Sequence, residues 1–238
     1  MKRKPRLIIA LDPPPDVDAY NWAIDIIEST RDLVAGYEVG LTLLVKLRGL
    51  EELKDIINAM KNVELKIADF KLADISDMML LAVEPLVKIG FNAFTAHAFI
   101  GYDKGLKELS EYLASNNARL LTIVSMSHPG GVSFLDPVLD KLLGLAVRAN
   151  SWGIIAPATR PWVIRKARRL LEDYGWRHIK IISPGIGIQG AKPGDGLLAG
   201  ADYEVVGRLI TRDIDPRNKA MEVVEIHQRI IERVEEMK

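Results

Sequence analysis

Asp69, Lys71 and Asp74 stand in the stretch Ile67-Ala68-Asp69-Phe70-Lys71-Leu72-Ala73-Asp74, at the end of an apolar run that begins at Val63. That run reads as a buried strand over residues 63–68. Residues two apart on an extended chain project to one face, so Asp69 and Lys71 point together. Asp74 lies just beyond, where a loop begins. Three charges at the end of an apolar strand are costly to desolvate unless they pair or coordinate something. A lysine flanked by aspartates stays protonated and can serve as an acid. The same residues in isolation would read as a structural salt bridge, so their surroundings have to decide.

Short apolar runs alternate with amphipathic stretches along the whole chain. Strands are predicted at residues 7–11, 33–39, 63–68, 92–96, 120–124, 152–156, 179–182 and 203–206. Pro13-Pro14-Pro15 forbids regular structure, and Asp16 is placed to cap a helix running to residue 29. Further helices are predicted up to residue 60, over 76–89, 102–114 and 133–150, from Pro161, and over 216–236. Strand then helix, eight times without a linker, is the pattern of an α/β protein, a (β/α)8 TIM barrel spanning residues 1–238 as a single domain. A doubly wound open sheet is the alternative.

The composition bounds the partners. With 238 residues, 48% of them hydrophobic, the chain can bury one large core. Lys plus Arg and Asp plus Glu both number 32, which offers no electrostatic case for nucleic acid or an anionic membrane. An anionic ligand must then be held by a local site. The absence of cysteine excludes disulfides and thiolate metal sites. After the basic start over residues 1–6, the apolar run 7–11 is too short for a signal-peptide core or a membrane span. A soluble, cytoplasmic protein with a solvated basic tail is the expectation.

In such barrels the sites lie at the carboxyl ends of the strands. Those ends carry Asp12, Glu38, Asp69 with Lys71, His97, Ser125 with Ser127, Thr159 with Arg160, the loop Gly185 to Gly190, and Arg208. The segments Ser183-Pro184-Gly185-Ile186-Gly187-Ile188-Gln189-Gly190 and Val205-Val206-Gly207-Arg208 follow strands seven and eight, the habitual phosphate site of this fold. Glycines let backbone N–H groups approach an anion, and arginine offers a bidentate fork. Ser127 either donates a hydrogen bond to a substrate carbonyl or amide or caps the next turn. A nucleophilic pair of Ser127 and His128 is disfavoured, because adjacent residues on an extended segment diverge. His97 reads as a satisfied rim histidine, and His178 and His227 as surface positions.

Several segments resemble the archaeal orotidine 5′-phosphate decarboxylases. They are Ala68 to Asp74, Met126-Ser127-His128-Pro129-Gly130, Ala156-Pro157-Ala158-Thr159-Arg160-Pro161, Ser183 to Gly190 and Val206-Gly207-Arg208. The likeness runs in order from Leu7-Ile8-Ile9-Ala10-Leu11-Asp12 to the last helix. It implies decarboxylation of orotidine 5′-phosphate to UMP, the last step of de novo pyrimidine biosynthesis. Asp69 would face the substrate carboxylate, and Lys71 would deliver a proton to C6. Asp74 would reach across a homodimer interface into the partner's site. Asp12 would hold ribose hydroxyls, Ser127 the pyrimidine, and Gln189 with Arg208 the phosphate, with Pro184, Gly185 and Gly207 also lining the substrate site. The resemblance implies no metal or organic cofactor and a small-molecule nucleotide as the partner.

Two places depart from that pattern. Where the family has a lysine after strand two, this chain has Glu38 in Tyr37-Glu38-Val39-Gly40. Three carboxylates against one lysine would push one carboxylate toward protonation or attract a cation. Glu-Val-Gly at that place also resembles the hexulose-phosphate synthases and keto-gulonate-phosphate decarboxylases. In that alternative Glu38 and Asp69 would hold magnesium for a decarboxylase or aldolase acting on a sugar phosphate. A further alternative is a nucleotide-binding barrel without turnover. The second departure lies in the presumed interface loop, where Met78 replaces a threonine and Ser76 a proline.

Overall fold

In the computed structural model, which describes residues 4–236, the apolar runs form eight parallel strands. These are β1 (Leu7–Leu11), β2 (Gly36–Gly40), β3 (Leu65–Leu72), β4 (Ala93–His97), β5 (Arg119–Ile123), β6 (Gly153–Ile155), β7 (Lys180–Ser183) and β8 (Tyr203–Val206). They pair in chain order and β8 closes onto β1, so the sheet is a barrel and the open-sheet alternative falls away. The helices are α1 (Ala19–Thr30), α2 (Leu41–Leu44), α3 (Leu50–Ala59), α4 (Ser76–Lys88), α5 (Lys107–Ser115), α6 (Leu139–Arg148), α7 (Pro161–Asp173), α8 (Asp195–Leu198), α9 (Arg208–Thr211) and α10 (Pro216–Glu236). Among the described residues, no helix is long and apolar enough to cross a membrane.

Strand alternation divides the core into two layers. Ile8, Ile67, Ile123, Ile155, Ile182 and Val205 fill the barrel interior. Their neighbours Leu7, Ile9, Tyr37, Val39, Ala68 and Val206 point outward against the helices. The interior filling stops short of the carboxyl ends, and that is where the polar residues begin.

Several boundaries differ from expectation. β2 starts at Gly36, not residue 33, and a Cβ at Gly36 would lie 2.1 Å from the Leu65 carbonyl oxygen, so only glycine lets β3 pack so closely. β3 starts at Leu65 and runs on through Lys71, making Asp69 and Lys71 part of the strand itself. Asp18, not Asp16, caps α1, its Oδ1 accepting the Asn21 N–H at 3.0 Å. The stretch predicted as a helix over 133–150 is regular only from Leu139, after a wide π turn at Gly131–Leu135 and a tight 3₁₀ turn at Asp136–Val138. Likewise Lys104, with φ of 59°, interrupts the stretch before α5. Of the expected basic tail, Met1 to Arg3 lie outside the described residues, while Arg6 is half-buried and donates to the Asp202 carbonyl at 3.2 Å.

His227 is not at the surface. It is 2% exposed, and its Nε2 lies 2.8 Å from Oε2 of the fully buried Glu204. Glu204 faces outward from β8 and accepts the N–H groups of Gly194 at 2.8 Å and Gly196 at 2.7 Å. One carboxylate thereby fastens the turn before α8 and the face of α10 to the barrel wall. Glu204→Ala would strand these donors in the interior at a cost of about 3–5 kcal/mol. Urea unfolding of the variant is expected to show a loss of that size.

Candidate functional site

A cavity of about 560 Å³ opens at the carboxyl ends of the strands. Asp12, Glu38, Asp69, Lys71, Ser127, Pro184, Gly185, Gln189, Gly207 and Arg208 all line it. Asp74 does not. It is exposed beyond β3, where its Oδ1 accepts the Ile75 N–H at 2.7 Å, beside the exposed Ile75, Met78 and Leu81.

The Asp69–Lys71 pair is built by an irregularity of β3. Ala68 is opposite Phe94 and Leu72 opposite Ala96, so Asp69, Phe70 and Lys71 together face Thr95 alone. β3 thus carries one extra pleat repeat, with Phe70 turned outward edge-on to Phe91 and Lys71 turned inward after Asp69. The backbone of Lys71 is left-handed, φ 49°. Its ammonium contacts Oδ2 of Asp69, and Thr95 donates to Oδ1 at 2.8 Å. Both carboxylate oxygens of Asp69 are therefore engaged. The expected same-face arrangement is present, but through a bulge instead of an even ladder.

Electrostatics sharpen the difference between the site's charges. Burial, and then the charge of Asp69, push the Glu38 carboxyl well above the usual carboxylate range. Burial works against the Lys71 ammonium, yet the Asp69 and Glu38 carboxylates outweigh it and hold its pKa above the ordinary lysine value. His97 is lowered by burial and by the nearby Lys71. Its ring stacks on Phe99 with centroids 4.6 Å apart, and its buried Nδ1 has no hydrogen-bond partner among the described residues. The reading of His97 as a satisfied rim histidine is corrected accordingly.

The opposite wall is made by loops that touch one another. Gly185 has φ of 104°, and a Cβ there would sit 3.0 Å from Thr159 Cγ2 and 3.6 Å from Ser127 Cβ. Glycine is what lets the loop after β7 close against those after β5 and β6. The amides of Gly187 and Gly190 close the loop onto Ala191 and Gly187 carbonyls at 2.7 and 2.8 Å. Gln189 and Arg208 are among the side chains that line the cavity from this wall, with Ile186 and Ile188 beside them. Beneath Ser127, Arg160 pairs with the buried Asp136 (Nε to Oδ2, 2.7 Å) and donates to the Met126 carbonyl and to Ser125 Oγ. Arg160 is a prop for the Ser127 loop, not a wall of the cavity.

Sequence reasoning missed three participants. Arg212 lines the cavity one helical turn after Arg208, a spacing that was visible. Thr42 lines it too and donates to Asp12 Oδ1. Thr95 gave no signal, since threonine is ordinary in a buried strand. Among the described residues, no three carboxylate or imidazole groups are placed to hold a metal ion.

Comparison with known proteins agrees with this geometry. The pattern of the Orotidine 5'-phosphate decarboxylase / HUMPS family matches residues 5–223. The orotidine 5'-phosphate decarboxylase of Aeropyrum pernix is 47% identical over 214 residues, covering 89% of this chain and 84% of its own. The crystal structure of orotidine 5'-monophosphate decarboxylase from Sulfolobus solfataricus superposes with a TM-score of 0.83 at 32% identity, over 96% of this chain and 100% of that one. That of the Methanocaldococcus jannaschii enzyme, complexed with inhibitor BMP, gives 0.82 at 30% identity, over 94% and 99%. Matched over residues 5–223 and 47% identical to one such enzyme over most of its length, the chain belongs to the orotidine 5'-phosphate decarboxylase / HUMPS family.

Proposed function

We propose that this chain decarboxylates orotidine 5′-phosphate to UMP, closing de novo pyrimidine biosynthesis. The observation that carries the reading is the Asp69–Lys71 pair in a cavity whose other wall presents Ser127, Gln189 and Arg208. A nucleotide bound with its phosphate at Gln189 and Arg208 and its base at Ser127 would bring the substrate carboxylate to Asp69. Two like charges there disfavour the ground state more than a transition state whose charge has moved into the ring. The bond from C6 to the carboxyl carbon breaks, its electron pair stays on C6, and the Lys71 ammonium supplies the proton. Asp12, oriented by Thr42, serves the ribose hydroxyls. Binding energy from the remote phosphate helps hold this arrangement.

Asp74 enters the reading through a second copy of the chain. Exposed beside Ile75, Met78 and Leu81, it would complete the charged array in the partner's site of a homodimer. The magnesium reading, with Glu38 and Asp69 as ligands, is supported by Glu38 standing where the decarboxylases have lysine. Against it, Lys71 and Thr95 already engage both oxygens of Asp69. A protonated Glu38 would instead leave the two aspartates and one ammonium in the array, reducing the excess negative charge that a cation would answer.

Three outcomes are expected. Incubated with orotidine 5′-phosphate, the protein is expected to consume the orotate absorbance equally with and without EDTA; loss with EDTA and recovery with magnesium would favour the metal-dependent alternative, and no turnover would sink the proposal. Lys71→Ala and Asp74→Ala are each expected to be inactive while still binding UMP. Mixed and re-equilibrated, they should regain activity, because one site of each mixed dimer keeps both residues. The third concerns Glu38, whose folded pKa is raised from 4.5, so the native state binds its proton more tightly than the unfolded chain. Stability then falls as pH rises from about 4.5 toward the folded value. Glu38→Gln is expected to melt higher than the wild type at pH 7, by about 2–4 °C per kcal/mol relieved, with the gain shrinking toward pH 4.5.

A further inference from the structure

Thr95 is the only β4 residue opposite the three-residue segment Asp69-Phe70-Lys71, and it is 1% exposed. Residues inside such a bulge lose the regular ladder partners that a flush strand would give them. Lys71 also sits in a left-handed conformation that a side-chain-bearing residue keeps only when its surroundings enforce it. One hydroxyl answers both needs. Thr95 Oγ1 accepts the Lys71 N–H at 3.0 Å and donates to Asp69 Oδ1 at 2.8 Å. A hydroxyl carries one proton and two lone pairs, so the two bonds coexist, and donation to a carboxylate strengthens acceptance of the amide. The other oxygen of Asp69 takes the Lys71 ammonium, which closes a ring from Thr95 through Asp69 and Lys71 back to Thr95.

We propose that Thr95 is a positioning residue for the reacting pair. Its hydroxyl holds the extra pleat of β3 closed and so fixes where the Asp69 carboxylate and the Lys71 ammonium point. This rests on the decarboxylase reading above for its catalytic consequence. Packing alone does not ask for threonine here, since valine has the same shape and is equally at home in a buried strand. Valine offers neither the proton nor the lone pair.

The test compares Thr95→Val with Thr95→Ser, by steady-state turnover of orotidine 5′-phosphate and by hydrogen exchange at the Lys71 amide. Thr95→Val is expected to lower kcat on the order of 10²-fold, as small misplacements of reacting groups do, with KM little changed because the phosphate wall is intact. Its Lys71 amide is expected to exchange at least about tenfold faster, the signature of a lost bond of roughly ordinary strength. Thr95→Ser, which keeps the hydroxyl, is expected to recover most of both. A valine variant matching the wild type in kcat and exchange would overturn the proposal. So would a serine variant as impaired as valine, which would show that restoring the hydroxyl does not restore the pair. Should the valine variant not fold, Thr95→Ala supplies the same comparison. If the wild type itself fails to turn over orotidine 5′-phosphate, the decarboxylase reading falls, and the exchange comparison still decides whether Thr95 holds the bulge.

Discussion

The contact between the Asp69 carboxylate and the Lys71 ammonium is the constraint around which the rest of the barrel mouth is arranged. Two charges at the edge of an apolar interior are tolerated only when each finds a partner, and each found the other. Everything adjacent then has to respect that pair. Thr95 fills the remaining oxygen of Asp69; burial and then Lys71 lower the His97 pKa, and burial and then Asp69 raise that of Glu38. The cavity is polar along one wall because the pair is there, and that wall sets which ligand chemistry can enter.

The molecule divides its labour along the barrel axis. Chemistry-bearing side chains crowd the carboxyl ends of the strands, whereas the buried fastening of Glu204 and His227 draws α8 and α10 onto the outside of β8. Between them lies an interior of isoleucine, leucine, valine and alanine with Tyr203. Stability invested away from the rim is what lets the rim hold a left-handed lysine and a desolvated carboxyl without unfolding.

Much of this was legible in the sequence. Apolar runs of strand length placed all eight strands, and the residue types at their ends marked the cavity wall, because burial and the fold's habit leave little choice there. Three things were hidden for physical reasons. The bulge in β3 is invisible because Asp-x-Lys reads the same in a flush strand and in a bulged one. The burial of His227 was written in its spacing from Ala220 and Val223 on α10, yet a histidine two residues from Glu225 and from Arg229 looks solvated until the helix face is known. The loop after β5 carries an apolar pattern that resembles a helix, but Pro137 and the turn at Gly131 delay the regular helix until Leu139. Asp74 illustrates a different limit, since a residue proposed to act in a second chain cannot be placed from one.

The extra pleat in β3 also has a parity. Three residues opposite one add two to the strand, and two is one full period of in-and-out alternation. Leu72 therefore still points outward with Ala96, and the barrel closes as though nothing had been inserted. The gain is a second inward position in a strand whose neighbour offers only one. An insertion of one residue would have turned Lys71 to the helices, whereas a flush strand would have set it one level further up the rim, opposite His97 and not Thr95. The barrel has doubled its reactive side chains at one point of its rim by a change of strand length that its hydrogen-bonded wall does not register.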